Sequence, residues 1–354
     1  MMNRRVGTAP ACRPILSGLA AAVVLAAASP AHAQTALPPV TVGAGLQTSF
    51  VHDSPDGGEA TDRFFVNSAR LYVGGSVTSK IKFMFNTEYD MNTEHVAVID
   101  AVARIESSPK FNLWMGRFLP PSDRANLYGP YYSSHWGIYS DGIQDGYPFV
   151  TTGRDDGVMY WGQFGKVKVA AGAFDGVSLT GNSELLTAAR VMVDFWDSED
   201  GYYLNGTYYG AKNLLAVGAA VQAQDGNKAS TVDFLLERKT PDGGAVTIES
   251  EYANYDKLGG YYAGYTSSEG AYILGAYLFG KAAGIGKFQI LGKFAKASFT
   301  KGITADFDQK TTEFNVNYII KEFNARVMFF FKNTDFTGVR TDSKQVGVGL
   351  QIQM

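Results

Sequence analysis

The sequence predicts an all-β protein, a 16-stranded antiparallel transmembrane β-barrel with a long third external loop. Apolar and polar residues alternate through much of the chain, which is the period of a two-sided β-strand. Glycine contributes 40 residues and aromatic residues 13%, with only 12 prolines, a composition that fits strands joined by turns. Beyond the N-terminal segment no run of 18 apolar residues occurs, so no transmembrane helix is predicted there.

The N-terminal segment at 1–33 has the pattern of a cleaved secretory signal peptide. Arginines precede an apolar run at 15–28, and a small-x-small cleavage site ends at Ala33. A membrane anchor is the alternative, but the run is shorter than the roughly 20 residues that a spanning helix needs. Cleavage would remove the only cysteine, Cys12, so residues 34–354, the predicted barrel domain, could form no disulfide or thiolate metal site.

The strands can be placed from the alternation and from Gly, Asn, Asp and Pro clusters between the apolar runs. The alternation is clearest at 346–354, where Val, Leu, Ile and Met are separated by Gly and Gln. In chain order we predict strands near 41–52, 63–78, 80–91, 94–106, 110–119, 156–164, 166–175, 187–197, 213–224, 229–239, 244–256, 269–281, 285–299, 310–321, 323–336 and 343–354.

A further candidate strand at 202–209 tests this assignment, because membrane barrels alternate short periplasmic turns with longer external loops. Counting 202–209 as a strand would place the later long loops on the periplasmic side. Treating 198–212 as a long periplasmic turn gives an even number of strands and places both chain termini on the periplasmic side. The aromatic residues near strand ends could form interfacial girdles, or each could be a packed rim residue; they include Tyr72, Tyr89, Trp114, Trp161, Tyr252, Tyr277 and Phe336.

Closure of so many strands has a functional consequence. A sheet that crosses a bilayer must leave no edge, and a ring of about 16 strands is too wide for side chains to fill. The sequence therefore predicts a water-filled pore for small hydrophilic solutes in a Gram-negative outer membrane, in contact with its lipid and lipopolysaccharide. The alternatives are a soluble secreted β-sandwich or solenoid, and a barrel with a structural, adhesive or enzymatic role.

Other functional classes receive little support. The signal segment carries three of the 31 basic residues and none of the 34 acidic ones, so the remainder has a net charge of −6 and no nucleic-acid partner is indicated. His52, His95 and His135 show no spacing typical of a metal site or catalytic triad. With no Gly-x-Ser-x-Gly and no Gly-rich phosphate loop, we predict neither an enzyme nor a cofactor.

Three segments resemble the phosphate-selective porin O and P family: Ala69–Gly75 with Ile81–Phe83, Met115–Pro121, and Gly206–Lys212. The resemblance implies a 16-stranded, trimeric porin whose third external loop, here 120–155, folds into the lumen and narrows it. It also implies a preference for anions such as phosphate, which rests in that family on a basic lumen. This chain departs from the family in its negative charge and in ending on Met354 rather than on an aromatic residue.

Two groups of residues are the candidates for solute selection. Charged residues in one phase of the alternation would project into the lumen and set ion preference, or would be salt-bridged wall residues; they are Arg70, Lys82, Asp100, Arg104, Arg190, Asp194, Lys287, Lys293 and Arg326, beside Glu249 and Glu251. The loop at 120–155 is long enough to be functional, as an inward constriction or as a mobile external lid; its candidate residues are Asp123, Arg124, Tyr131, Asp141 and Arg154.

Overall fold

A computed structural model describes residues 39–90, 94–143, 153–176, 184–258, 265–302, 304–338 and 340–354. The predicted signal segment at 1–33 lies outside the described residues. Within the described part of the chain, no helix is both long and apolar enough to cross a membrane.

Sixteen β-strands make up almost all of the regular structure, which confirms the predicted fold class. Each strand end lies within four residues of its predicted position. The strands are β1 Val40–Pro55, β2 Thr61–Ser76, β3 Ile81–Asp90, β4 His95–Ser108, β5 Phe111–Phe118, β6 Asp155–Phe164, β7 Val167–Phe174, β8 Leu186–Asp194, β9 Leu214–Gln224, β10 Asn227–Lys239, β11 Ala245–Asp256, β12 Tyr265–Leu278, β13 Lys287–Gly302, β14 Phe307–Lys321, β15 Ala325–Phe336 and β16 Ser343–Gln353.

Each strand pairs with its neighbours in sequence, and β1 pairs with β16 to close the barrel. All sixteen pairings are antiparallel, and the closing register runs from Gly45 opposite Gln353 to Pro55 opposite Ser343. Met354 extends this closure, because its backbone N–H donates to the Ala44 carbonyl at 2.9 Å and its carbonyl accepts from Ala44 N at 3.0 Å. The non-aromatic terminal residue is thus part of the closing ladder.

The two faces of the sheet differ in the sense expected for a membrane barrel. Along β11, buried Thr247, Glu249 and Glu251 alternate with more exposed residues, including Ile248. The polar side chains therefore face the interior and large apolar side chains face outward, the reverse of a soluble protein. The exposed apolar set includes Phe64, Met115, Val191, Val221, Ile273, Phe294, Phe314, Phe329 and Ile352.

Outward aromatic pairs lie beside the short turns at one rim of the barrel. Ring centroids are 5.6 Å apart for Phe111 and Tyr160, 5.0 Å for Tyr277 and Phe279, and 5.1 Å for Phe288 and Tyr318. Tyr277 fits the predicted girdle. Trp114 and Trp161 follow the alternative, packed residues, since they are 2% and 8% exposed and their rings meet edge to face. Tyr72 also packs inward, with its ring centroid 6.3 Å from that of Tyr131.

The predicted alternation of short turns and longer loops holds for part of the ring and fails around β9, where the β8–β9 connection on the short-turn side spans 195–213 and the β9–β10 connection on the long-loop side is the shorter one. The turn between β9 and β10 has only two residues, Asp225 and Gly226, and both have positive φ angles, 49° and 76°. Positive φ at both central residues is typical of a type I′ hairpin turn, whose twist matches that of paired strands. The connection between β8 and β9 contains no strand at 202–209, in agreement with its assignment as a long turn.

Candidate functional site

The β5–β6 loop begins with a short helix that its own sequence specifies. After two prolines end β5, the Asp123 carboxylate caps helix α1 (Arg124–Tyr128) by accepting from Asn126 N at 2.7 Å. Gly129 ends the helix with φ 62°, and a 3₁₀ turn follows at Pro130–Tyr132. All five residues of α1 are buried, so the helix does not lie on an outer surface.

Side chains from strands on opposite sides of the ring donate to carbonyls of this loop. Arg190 of β8 donates to Ser122 O at 3.0 Å, and Asn317 of β14 donates to Ser134 O at 2.9 Å. Gln351 of β16 reaches Tyr131 O at 2.9 Å. Buried backbone carbonyls need such partners, and here the inner wall supplies them. The described part of the loop therefore lies against the inner wall of the barrel.

Ion pairs add to this attachment. Lys293 Nζ lies 2.6 Å from the Asp141 carboxylate, and Arg154 Nε lies 3.4 Å from that of Asp100. The Lys293 and Asp141 side chains are each 1% exposed, so the pair is shielded from solvent screening. Asp141 and Arg154 thereby tie the loop to β13 and β4.

Two wall glycines make room for loop aromatics. A Cβ built on Gly45 would lie 2.6 Å from the Tyr131 ring, and one on Gly349 would lie 2.6 Å from the Trp136 ring. Real Cβ atoms do not approach ring carbons so closely, so any larger residue at these positions would displace the loop. The Tyr131 hydroxyl also lies within hydrogen-bond distance of Ser68 Oγ, at 2.9 Å.

The β8–β9 turn at 195–213 enters the barrel from the opposite end, because connections alternate ends in an antiparallel ring. It donates three hydrogen bonds to backbone carbonyls of the loop. Tyr202 Oη donates to Leu119 O at 2.9 Å, Gly206 N donates to Tyr132 O at 2.9 Å, and Leu204 N donates to Leu127 O at 3.4 Å.

Ion pairs also connect the β5–β6 loop to the β8–β9 turn. The Arg124 guanidinium on the loop pairs with Glu199 on the turn, donating from Nη1 at 2.9 Å and from Nη2, and both side chains are 0% exposed. Arg124 Nε also lies 3.6 Å from Asp233, which accepts two hydrogen bonds from Arg190 at 2.5 and 2.8 Å. The loop, the turn and the wall thus share one buried charge network.

Burial shifts the pKa of several ionisable groups in the loop, among them Asp123 and His135. Desolvation raises the pKa of the Asp123 carboxyl to about 7, with the negative charge of nearby Asp233 acting in the same direction. Desolvation lowers the pKa of His135 well below its ordinary value, and the cations Lys293 and Lys332 lower it further. Asp123 therefore titrates in the neutral range.

The wall residues predicted from the alternation separate into two groups. Those in contact with the loop or turn are Asp100, Arg190, Lys293 and Arg326, together with Asp194, whose carboxylate accepts from Glu199 N at 3.0 Å. Others pair within the wall: Arg70 with Glu88, Lys82 with Glu106 at 2.8 Å, and Arg104 with Glu106 at 3.6 Å. Arg70 also contacts the loop, because its guanidinium lies 5.1 Å from the Tyr131 ring centroid. Lys287 lies apart at the rim, where it donates to Gly243 O at 3.0 Å. A role of these residues in ion selection stays a prediction.

Sequence reasoning did not select Asp233 or Glu199. Asp233 is in the buried phase of β10 and could have been found by extending the alternation to that strand. Glu199 lies in a turn without periodicity, so no sequence signal marked it. Among the described residues no cluster of His, Cys, Asp or Glu is arranged to hold a metal ion.

A cavity of about 360 Å³ remains beside the loop. The β2–β4 wall bounds it with Arg70, Tyr72 and Asp100, the loop with Tyr128, and the turn with Tyr203.

The architecture matches solved outer-membrane proteins. OprB of Pseudomonas putida aligns with TM-score 0.60 at 9% identity, covering 89% of this chain and 94% of OprB. The outer-membrane channel DcaP of Acinetobacter baumannii gives 0.59 at 11%, covering 89% and 97%. An anion-selective porin from Comamonas acidovorans gives 0.55 at 13%, covering 90% and 100%. The chain has a porin fold.

At these identities the likeness is one of fold. No protein-family model and no curated protein matches the sequence. The resemblance to phosphate-selective porins therefore stays a prediction about family.

Proposed function

We propose that this chain is an outer-membrane porin that forms a water-filled channel for passive diffusion of small hydrophilic solutes or ions. The observation that carries the proposal is the inverted barrel, with charged side chains inside a closed ring and large apolar side chains outside. An apolar outer surface of this extent favours contact with lipid, since soluble monomers rarely expose large apolar patches. The outward aromatic pairs at one rim fit a membrane interface.

We also propose that a signal peptide at 1–33 directs export and is then cleaved. The barrel would lie in the outer membrane, in contact with lipid and lipopolysaccharide. N-terminal sequencing of the protein recovered from outer membranes tests both points, and we expect Gln34 at the start. An intact Met1 would contradict cleavage.

The loop at 120–155 is the proposed constriction. Its described part contacts inward side chains of β1, β8, β14, β15 and β16, which supports a position across the lumen. Planar-bilayer recording of the full chain and of a variant lacking residues 128–147 tests this role. We expect stepwise conductance for the full chain and larger steps for the deletion variant. Equal step sizes would remove the constriction role.

We also propose that the channel has a weak preference for anions and that phosphate is among its solutes. Most wall cations already have an acidic partner, so the net field in the lumen is small. Reversal potentials in asymmetric KCl and potassium phosphate measure the preference directly. A strong cation preference would contradict the phosphate proposal and leave the channel proposal intact.

The proposed assembly is a homotrimer. Support comes from the resemblance above and from OmpT of Vibrio cholerae, a structural neighbour at TM-score 0.55 and 14% identity, which was solved in a trimer form. Cross-linking in mild detergent tests this, and we expect a band at three times the chain mass.

A second candidate function is a closed, non-conducting structural or adhesive barrel. The density of contacts that the loop and turn make across the ring favours it. Absence of any conductance from folded protein reconstituted in bilayers would favour this candidate over the porin.

A further inference from the structure

His135 of the loop is buried against the inner wall, with 2% of its surface exposed. Its Nδ1 lies 3.0 Å from Ser133 Oγ, and its Nε2 lies 3.3 Å from Nζ of Lys293 on β13. Lys293 is also 2.6 Å from the Asp141 carboxylate, a contact that favours the charged ammonium form. An ammonium group can only donate, so Nε2 must accept and carries no proton. The contacts of the ring therefore require neutral histidine.

Ser133 fits the same protonation state. Its hydroxyl donates to the His135 carbonyl at 3.0 Å and accepts from the His135 backbone N–H at 3.1 Å. Because its only hydrogen is used, Ser133 Oγ accepts from the ring, and the single ring proton lies on Nδ1. A second ring proton, on Nε2, would point at the Lys293 ammonium.

The charges around His135 offer no compensation for such a proton. They come from β13, β14, β15 and the loop itself, and they are Lys293, Glu313, Arg326, Lys332 and Asp141. Both acids already lie beside a lysine, Asp141 at 2.6 Å and Glu313 at 3.8 Å. Among the described residues no carboxylate is within ion-pair distance of His135, whereas His52 lies 2.8 Å from Asp62. Protonation would add an unpaired charge in a buried site, which is costly.

The residues on either side of His135 hold the loop to the wall. Ser134 O accepts from Asn317 of β14 at 2.9 Å, and Trp136 N donates to the side chain of Asn315 on the same strand at 3.3 Å. His135 lies between these two attachments. Repulsion between its ring and Lys293 would therefore strain both of them.

We propose that His135 is a positioning residue whose neutral ring keeps the loop on the β13–β15 wall, and that its protonation in acid displaces the loop and widens the channel. Burial and the nearby cations lower the pKa of His135 well below its ordinary value. Since the folded state disfavours the proton, this contribution to stability is complete above about pH 6.5 and falls as the pH decreases below it. Only the widening rests on the proposed channel and constriction.

Planar-bilayer recording from pH 8 to pH 4 tests the proposal with His135→Gln, which keeps an acceptor oxygen for Lys293 and cannot be protonated in this range. His52→Gln is the matched control, because the His52 side chain is 45% exposed. We expect the conductance steps of wild type and His52→Gln to increase in acid, and those of His135→Gln to stay constant. An increase of the same size in His135→Gln would overturn the proposal.

A fixed charge at this position gives the converse experiment. His135→Lys should show at pH 8 the large steps that wild type shows only in acid. Steps of wild-type size from folded His135→Lys at pH 8 would overturn the proposal, and His135→Gln decides the question if the lysine variant does not fold.

Two further readouts need no current. In NMR of protein with labelled histidines, we expect the signal that His135→Gln removes to titrate only well below pH 6.5. The unfolding midpoint should fall less in acid for His135→Gln than for wild type, and Asp123 titrates in both proteins, so their difference isolates His135.

These readouts separate failure of the positioning role from failure of the channel. Both expected results without any ionic current would support the role of His135 and overturn the channel. Titration of His135 near pH 6.5, with equal acid dependence of the two unfolding midpoints and normal current, would overturn the role of His135 alone.

Discussion

Arg124 of the loop and Glu199 of the turn form an ion pair with no solvent exposure, beside Met192 of β8 and Asp233 of β10. The two residues lie on connections that begin at opposite ends of the ring, so the pair links both ends through the lumen. Tyr208 also donates to Glu199 at 2.8 Å, and Arg124 Nη1 donates to Asn205 O at 3.1 Å. Both carboxylate oxygens of Glu199 are hydrogen-bonded, whereas Arg124 Nε has, among the described residues, only the Asp233 carboxylate nearby, at 3.6 Å.

Breaking this pair should be strongly destabilising. Glu199→Gln leaves the Arg124 charge buried with less compensation, a change that typically costs about 3–5 kcal/mol. We expect a lower midpoint temperature in heat-modifiability gels, together with a larger and noisier channel conductance. Arg124→Met combined with Glu199→Gln removes both charges and should recover part of the stability.

The control for that experiment is Asp200→Asn in the same turn. Asp200 pairs with Lys212 at 3.4 Å, but its side chain is 83% exposed, and exposed pairs contribute about 0–1 kcal/mol. An effect of Asp200→Asn as large as that of Glu199→Gln would contradict a special role for the buried pair.

Gly349→Ala should displace the loop from the wall, because the added methyl group would clash with Trp136. The added methyl would lie 2.6 Å from Trp136, so the ring must move or the strand must shift. We expect a changed conductance, and Trp136→Ala in the same chain should restore it. Gly275→Ala is the matched control, because a Cβ there would meet nothing within 4 Å. Identical traces from wild type and Gly349→Ala would show that Trp136 does not pack on this strand.

Stability should fall as pH rises through neutrality, owing to Asp123. Its pKa is raised to about 7 in the folded state from 3.8, so folding favours the protonated form. The contribution is complete below about pH 4 and is lost as pH rises through 7. Desolvation raises the pKa of Asp123 most, the negative charge of Asp233 adds to it, and the Asn126 N–H and Arg190 oppose it.

Asp123→Asn isolates this effect, since asparagine also caps helices well. We expect the difference between the unfolding midpoints at pH 5 and pH 8 to shrink in the variant. Asp56→Asn, at an exposed position between β1 and β2, should leave the wild-type difference unchanged. A pH difference of the same size in Asp123→Asn would assign the titration to another group.

A charge on the outer face should hinder membrane insertion. Phe329 on β15 is 53% exposed and lies opposite Val316 and Val348 on the neighbouring strands. Phe329→Arg would place a cation in this apolar band, where arginine near the bilayer midplane costs about 2–4 kcal/mol. Folding into lipid vesicles, followed by urea titration, measures the loss. Glu59→Arg in the exposed β1–β2 turn should fold as wild type does, and equal behaviour of both variants would contradict lipid contact at Phe329.

The sequence by itself determined the sixteen strands and their two faces. Residues such as Val346 to Met354 alternate with a period of two, and that period alone assigns a side chain to the wall's inner or outer face. Turn residues such as Asp225 and Gly226 fix the hairpins locally. Closure followed because an open sheet edge cannot exist in lipid.

Tertiary structure decided what occupies the lumen. Trp114 and Trp161 lie near strand ends and point inward, and their packing partner there, Tyr202, belongs to the turn at 195–213, which is distant in sequence from Trp114. Glu199 contacts Arg124 although the two are 75 residues apart in sequence, and no local sequence pattern predicts such a contact. Periodicity reports which face a strand residue takes, whereas the partner of a loop residue depends on how the closed ring brings distant segments together.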